Sequence, residues 1–278
     1  MVISWYPGHM RKASRELKSI VKESHAVIEL VDARAPESSS NPTLTPLTRG
    51  LPRIILLTKG DLADQETTNL WQKFIESKSK AKCLINDNDN PISVRRFLQE
   101  LESLLSDNAD ITKQKQIIIT GIPNVGKSTL LNAIVGKKVA NTGNEPAVTR
   151  SQQRMKIAEG WYLIDTPGLL WPKLENQENA KILACLGTIK NTAINIEEIG
   201  WFLAEILKRD YPDLLRVRYG IEAIPQTTEV LYDGIAAKTG SLSKKGYADY
   251  HKVSQILLND FRLGRLGKFS LEKPRQIR

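Results

Sequence analysis

Gly121-Ile122-Pro123-Asn124-Val125-Gly126-Lys127-Ser128 spells the pattern G-x-x-x-x-G-K-[ST]. Gly121 and Gly126 allow a tight backbone turn around a polyphosphate. The loop N–H groups, from Asn124 and Val125 through Thr129, then supply a positive concavity at a helix N-terminus. In this pattern Lys127 reaches the β- and γ-phosphates, and the Ser128 hydroxyl takes a Mg²⁺ ion. The flanks agree. The run Gln116-Ile117-Ile118-Ile119-Thr120 reads as a buried strand, and Thr129-Leu130-Leu131-Asn132-Ala133-Ile134-Val135 reads as a helix. The expected ligand is a nucleoside triphosphate with Mg²⁺.

Two further stretches narrow the nucleotide. Thr58-Lys59-Gly60-Asp61 closes the apolar run Arg53 to Leu57 and fits [NT]-K-x-D, the guanine-recognition motif. An ionised Asp61 accepts from guanine N1–H and from its exocyclic amine, whereas adenine offers neither donor there. An unpaired buried carboxylate costs several kcal/mol, so this one residue separates GTP from ATP. The aliphatic stem of Lys59 is expected along the base. Downstream, Asp165-Thr166-Pro167-Gly168 matches D-x-x-G, with Asp165 holding Mg²⁺ through water and the Gly168 N–H meeting the γ-phosphate. Between them, Gly143 to Thr149 stands in the place of a switch segment, with Thr149 as its Mg²⁺-binding hydroxyl. The ligand is GTP, exchanged with GDP.

The elements that must position these residues are legible in outline. Ala13, Leu17, Ile20 and Val21 repeat at helical spacing among Arg11, Lys12, Arg15, Lys18 and Lys22, which predicts a basic amphipathic helix after a turn at Trp5 to Met10. Ala26 to Val31, Arg53 to Leu57, Lys82 to Ile85, Arg154 to Ala158 and Trp161 to Ile164 read as strands. Asp32 to Pro42 reads as a loop, and Thr67 to Glu76 and Val94 to Leu105 as helices. Strands alternating with helices predict an α/β, doubly wound sheet with its ligand at the carboxyl ends of the strands. From about residue 175 only helical period remains, in Glu197 to Leu207 and Tyr247 to Phe261. The expected division is 1–175 and an all-helical 176–278. The base motif precedes the phosphate loop, the reverse of the usual order, so the sheet is read as circularly permuted.

Composition sets outer limits. The chain has 278 residues and a net charge of +9. From Lys238 to Arg278 there are ten Lys or Arg against three acidic residues, so most of the excess sits at this end. A polyanionic partner, nucleic acid first, is expected there. No apolar run reaches the roughly 18 residues of a membrane span. The N-terminus has no secretory pattern, and Cys83 and Cys185 lie far apart without metal spacing. Both are expected as packed thiols in a reducing cytoplasm.

Taken together, these motifs resemble the circularly permuted GTPases of the ribosome biogenesis GTPase A (YlqF) group. The likeness runs nearly end to end, through Trp5 to Met10, Val31-Asp32-Ala33-Arg34-Ala35-Pro36, the phosphate loop, Ser151-Gln152-Gln153, Asp165 to Pro172 and Phe261 to Gly267. It departs at Thr58, where Asn is usual, and at Ala147, where Gly is usual. The resemblance implies a bacterial cytoplasmic GTPase acting late in large ribosomal subunit assembly, with its helical domain on rRNA, no membrane, and a monomer favoured. It implies that Asn86 and Asp87 sit near the guanine, and that Asn124 helps hold a K⁺ against the phosphates. Leu169 follows D-x-x-G where many GTPases have Gln, so the resemblance points to His9 as the group that orients water, alongside Lys127 and Thr149 in catalysis. Two other readings remain: a nucleotide-gated rRNA-binding module with incidental hydrolysis, and a P-loop kinase or ATPase, which Asp61 disfavours.

Overall fold

The computed structural model describes Ile3 and residues 8–79, 81–105, 114–136, 153–171, 174 and 176–275. Among these, six strands form one sheet: β1 Ala26–Asp32, β2 Arg53–Thr58, β3 Lys82–Asn86, β4 Lys115–Gly121, β5 Gln153–Ala158 and β6 Trp161–Asp165. Their order across the sheet is β3-β2-β1-β4-β6-β5, with only β5 antiparallel to its neighbour. β1 is buried at all of its positions, as expected of a parallel strand covered on both faces. Because β1, β2, β3, β4 and β6 are parallel, their carboxyl ends share one edge. The register sets Asp32 beside Thr58, Thr58 beside Asn86, Leu30 beside Gly121 and Ile119 beside Asp165. The chain leaves β1 toward β2 and β3, then returns to β4 on the other side of β1. That reversal opens a crevice at the ends of β1 and β4.

The helices around the sheet are α1 Gly8–Val21, α2 Pro36–Ser39, α3 Leu44–Leu47, α4 Gln65–Lys78, α5 Val94–Leu105 and α6 Lys127–Val135. α1 begins earlier than the sequence pattern suggested. Met10 is fully buried on the same stripe as Leu17 and Ile20, so burial extends the helix through the expected turn. The stretch Asp32 to Pro42, read as loop, contains α2, and α3 follows just beyond it; Pro36 at the first turn of α2 presets helical φ.

Beyond β6 come α7 Gln177–Cys185, α8 Ile196–Asp210, α9 Pro212–Tyr219, α10 Thr228–Thr239 and α11 Tyr250–Arg262. α11 starts at Tyr250 and not Tyr247, because the Asp249 side chain accepts from the Lys252 N–H and caps it there. Cys83 and Cys185 are free and buried, and burial pushes each thiol up to about 12. No helix among the described residues is long and apolar enough to cross a membrane.

The basic end is not a loose tail. After α11 the chain folds back over the carboxyl edge of the sheet. The Phe269 N–H donates to the Leu62 carbonyl (3.2 Å), and the Leu271 N–H donates to the Arg34 carbonyl (2.7 Å). Trp71 Nε1–H donates to the Glu272 carbonyl, and the Glu272 carboxylate accepts from the N–H groups of Glu37 and Ser38. Phe269 is buried against Tyr211 and Phe261, with ring centroids 5.0 and 5.1 Å away. Lys244, Lys245, Lys252, Arg265, Lys268, Lys273 and Arg275 remain on the surface.

Candidate nucleotide site

β4 ends at Gly121 and α6 begins at Lys127, so the strand, loop and helix expected around the phosphate pattern are present. Gly126 has φ +98°, a conformation that L side chains rarely adopt, which explains glycine there. Asn124 holds φ 62°. Val125 is buried, Ser128 half-buried on the first turn of α6, and Thr129 exposed beside it. The loop and the start of α6 therefore stand at the carboxyl end of β4.

Lys127 and Asp165 meet. Lys127 Nζ donates to Asp165 Oδ1 as a buried ion pair. The second carboxylate oxygen, Oδ2, is buried with no hydrogen-bond partner. Burial pushes the Asp165 carboxyl up, opposed by Lys127. A buried carboxylate oxygen lacking a donor fits a site for a hard cation or its water. Three residues on, a side chain at Gly168 would lie 3.0 Å from the Pro123 backbone, so D-x-x-G packs directly on the phosphate loop. Leu169 is buried, and its N–H donates to the Gly121 carbonyl (3.0 Å). The position where Gln is common therefore faces the core.

The second loop closes over the first. Thr58 Oγ1 lies 2.6 Å from the Val125 carbonyl and 3.0 Å from the Val31 carbonyl. With one proton to donate, its shorter bond is the one to the phosphate loop. Thr58 thus performs the tie between loops that an Asn would make, and the departure from the usual motif is conservative. Lys59 adopts φ 57° and extends Nζ to the Asn124 carbonyl (2.7 Å) and to Asp32 Oδ2 (2.8 Å). Asp61 accepts from the Asn88 N–H (2.9 Å) on one oxygen and from Asn88 Nδ2 (3.2 Å) on the other. Two N–H donors, one to each oxygen, is also the pattern a guanine edge presents.

Asn86 and Asp87 do come to this end of the sheet, with different surroundings. Asn86 is buried, and its Oδ1 accepts from the Ile92 N–H (3.0 Å), pinning the loop after β3. The Asp87 carboxylate lies against Gly60, its Oδ1 is buried without a hydrogen-bond partner, and burial, with Asp61 adding to it, pushes its carboxyl up. The Asn124 Nδ2 donates to the Gly187 carbonyl (2.7 Å), after α7. His9 lies in the first turn of α1, not in a loop, and its side chain is outside the described residues. Thr149 and the rest of Gly143 to Thr149, with Ser151 and Gln152, lie outside them as well.

Sequence reading missed Asp32, Arg34 and Asn88 as parts of this site. Asp32 was visible as a polar residue closing a buried strand, the same position that Thr58 and Asp165 occupy on theirs. Asn88 left no signal, since its contact with Asp61 spans a loop whose path no local pattern sets.

The family described as "50S ribosome-binding GTPase" matches residues 116–205. Proteins named ribosome biogenesis GTPase A are similar over the full length. That of Bacillus licheniformis is 39% identical, covering 100% of both chains. That of Thermotoga maritima is 29% identical, covering 99% of this chain and 96% of the relative. The crystal structure of GNP-bound YlqF from T. maritima superposes with a TM-score of 0.67 at 26% identity, covering 96% of this chain and 100% of that one.

Proposed function

The chain belongs to the ribosome biogenesis GTPase A family, and from that premise we propose that it is a GTP-hydrolysing assembly factor acting late in maturation of the large (50S) ribosomal subunit. The observation that carries the reading is a convergence. At one sheet edge Thr58 and Lys59 bond the phosphate loop at Val125 and Asn124, Lys127 of that loop bonds Asp165, and Gly168 packs on Pro123, with Asp61 two residues beyond Lys59.

In this proposal Asp61 binds the guanine edge, exchanging Asn88 for the base, and Lys59 lies along it. Asn86 and Asp87 shape the far wall. Lys127 transfers from Asp165 to the β- and γ-phosphates, which frees both Asp165 oxygens. Ser128, Thr149 and Asp165 hold Mg²⁺, which when bound neutralises charge developing on the phosphate oxygens. The Gly168 N–H meets the γ-phosphate, and His9 orients the attacking water. The Asn124 side-chain oxygen would help hold a K⁺ against the phosphates, with its nitrogen donating to the Gly187 carbonyl. Equal turnover in KCl and NaCl would remove that ion.

The motif order, base loop first, supports a circularly permuted sheet. In it residues 1–175 form the nucleotide domain and 176–278 the helical domain that meets rRNA. The setting is cytoplasmic, and a monomer is the favoured state. The test is nucleotide competition. The unmutated protein should prefer GTP to ATP, and Asp61→Asn should lower GTP affinity and abolish the preference. Equal binding of both nucleotides by the unmutated protein contradicts the guanine assignment.

A further inference from the structure

Lys59 is held by a buried relay that starts outside the nucleotide loops. Its Nζ donates to Asp32 Oδ2 at 2.8 Å, and Asp32, at the end of β1, is 1% exposed. Arg34 grips the same carboxylate with two prongs, Nε to Oδ1 and Nη2 to Oδ2, both 2.9 Å. Arg34 is itself 1% exposed. Its third nitrogen, Nη1, donates to the Phe261 carbonyl (3.0 Å) in the last turn of α11, and its guanidinium lies 4.4 Å from the centre of the Phe261 ring. The Arg34 carbonyl accepts from the Leu271 N–H. A path of charge-assisted bonds therefore runs from the end of α11 to the ammonium group that spans the two nucleotide loops.

We propose that Asp32 and Arg34 are positioning residues for Lys59, and that docking of α11 through Arg34 is what holds the base-binding loop in its competent geometry. The inference rests on the reading of Thr58 to Asp61 as that loop. A lysine on an exposed turn samples many rotamers. Anchored on Asp32, Lys59 presents its stem along one line and reaches the Asn124 carbonyl. Asp32 alone would lose much of its value by swinging away. The two-pronged Arg34 fixes both of its oxygens in plane, which a Lys could not do.

The electrostatics agree. Burial alone would push the Asp32 carboxyl up, but Arg34 and Lys59 outweigh it and hold it far below the usual carboxylate range. Burial pushes Lys59 down, and Asp32 works against that shift. Asp32 thus opposes the loss of charge that burial favours at Lys59.

The experiment is a double-mutant cycle read as GDP affinity by calorimetry, extended to millimolar nucleotide, with ADP as the comparison. It uses the unmutated full chain, Asp32→Asn, Lys59→Met and the pair together. Each single variant should lose about tenfold or more in GDP affinity, the scale of a lost charge-assisted bond. The pair should lose no more than Lys59→Met alone, because Asp32 acts through Lys59. A merely structural Asp32 would give losses that multiply, and that result overturns the proposal. If circular dichroism shows Asp32→Asn unfolded, Arg34→Lys takes its place in the cycle with the same two outcomes. An unmutated protein that binds GDP no better than ADP overturns the base-loop reading itself. Preference for GDP with multiplying losses overturns only the positioning role.

Discussion

The Thr58 hydroxyl stands 2.6 Å from the Val125 carbonyl and joins the loop after β2 to the loop after β4. Both ends of this bond are buried, so neither finds water if it is cut. The Thr58 hydroxyl and the Lys59 ammonium, which reaches the Asn124 carbonyl, thus fix the loops that define base and phosphate to one another.

Thr58→Val keeps the shape and removes the donor. A net hydrogen bond is worth about 0.5–1.5 kcal/mol, so GDP affinity should fall by several-fold to about tenfold. Thr58→Asn, the residue common at this position, should restore most of it. Fluorescent GDP titration decides the matter, and an unchanged constant in the valine variant would show that the tie is idle.

The segment after α11 should make stability depend on pH. Burial raises the Glu272 carboxyl to about 7 from an ordinary 4.5, against the Ser38 and Glu37 N–H groups that favour its ionised form. As pH rises through that window, the unfolded chain releases its proton while the folded chain keeps it. Stability therefore falls between the two values and levels off above them. Glu272→Gln removes this group, so its Tm should decline less across the window than that of the unmutated protein. Parallel Tm curves for the two proteins would contradict the assignment.

The rRNA contact needs charge variants and not truncation. Removing residues beyond 237 would delete α11 and the strands of contact to Leu62, Arg34 and Trp71. Lys244, Lys245 and Lys252 are exposed, so replacing all three by Gln leaves the packed segment in place. If the basic face neutralises about six phosphates, affinity for rRNA should fall by roughly 10³-fold or more between 50 and 200 mM salt. The triple variant should weaken binding and flatten that slope. Retention of both affinity and slope would move the interface elsewhere.

Catalysis is the least local part of the account. Leu169 is buried, so it leaves the water-orienting task to another group. His9→Ala should leave GTP binding and large-subunit binding intact while lowering subunit-stimulated turnover by at least ~10-fold. Unchanged stimulated turnover would pass the role to a group supplied by the particle.

The parts of this molecule readable from sequence are those whose cause is local. The glycines and Lys127-Ser128 of the phosphate loop announce themselves by spacing, and the runs at Ile117 to Ile119 and Ile54 to Leu57 by continuous apolar character. α1 was harder, because the burial of Met10 decides its start and burial is a tertiary fact. Arg34 sits in a stretch that composition marks as loop. Its value comes from Phe261, 227 positions later, which no window of local pattern can contain. The same holds for Glu272 on Ser38 and Asn124 on Gly187. Charge located the basic end but not its anchoring: its apolar residues Leu266 and Phe269 are buried and tie it down.

The central claim, a GTP-dependent factor for the large subunit, is tested most directly by co-sedimentation with 30S, 50S and 70S particles in GDP, GTP and a non-hydrolysable GTP analogue. The chain should pellet with the large subunit and its precursors in the analogue and be released in GDP, with little bound to 30S. Sedimentation that ignores the nucleotide, or that favours 30S as much as 50S, would contradict it.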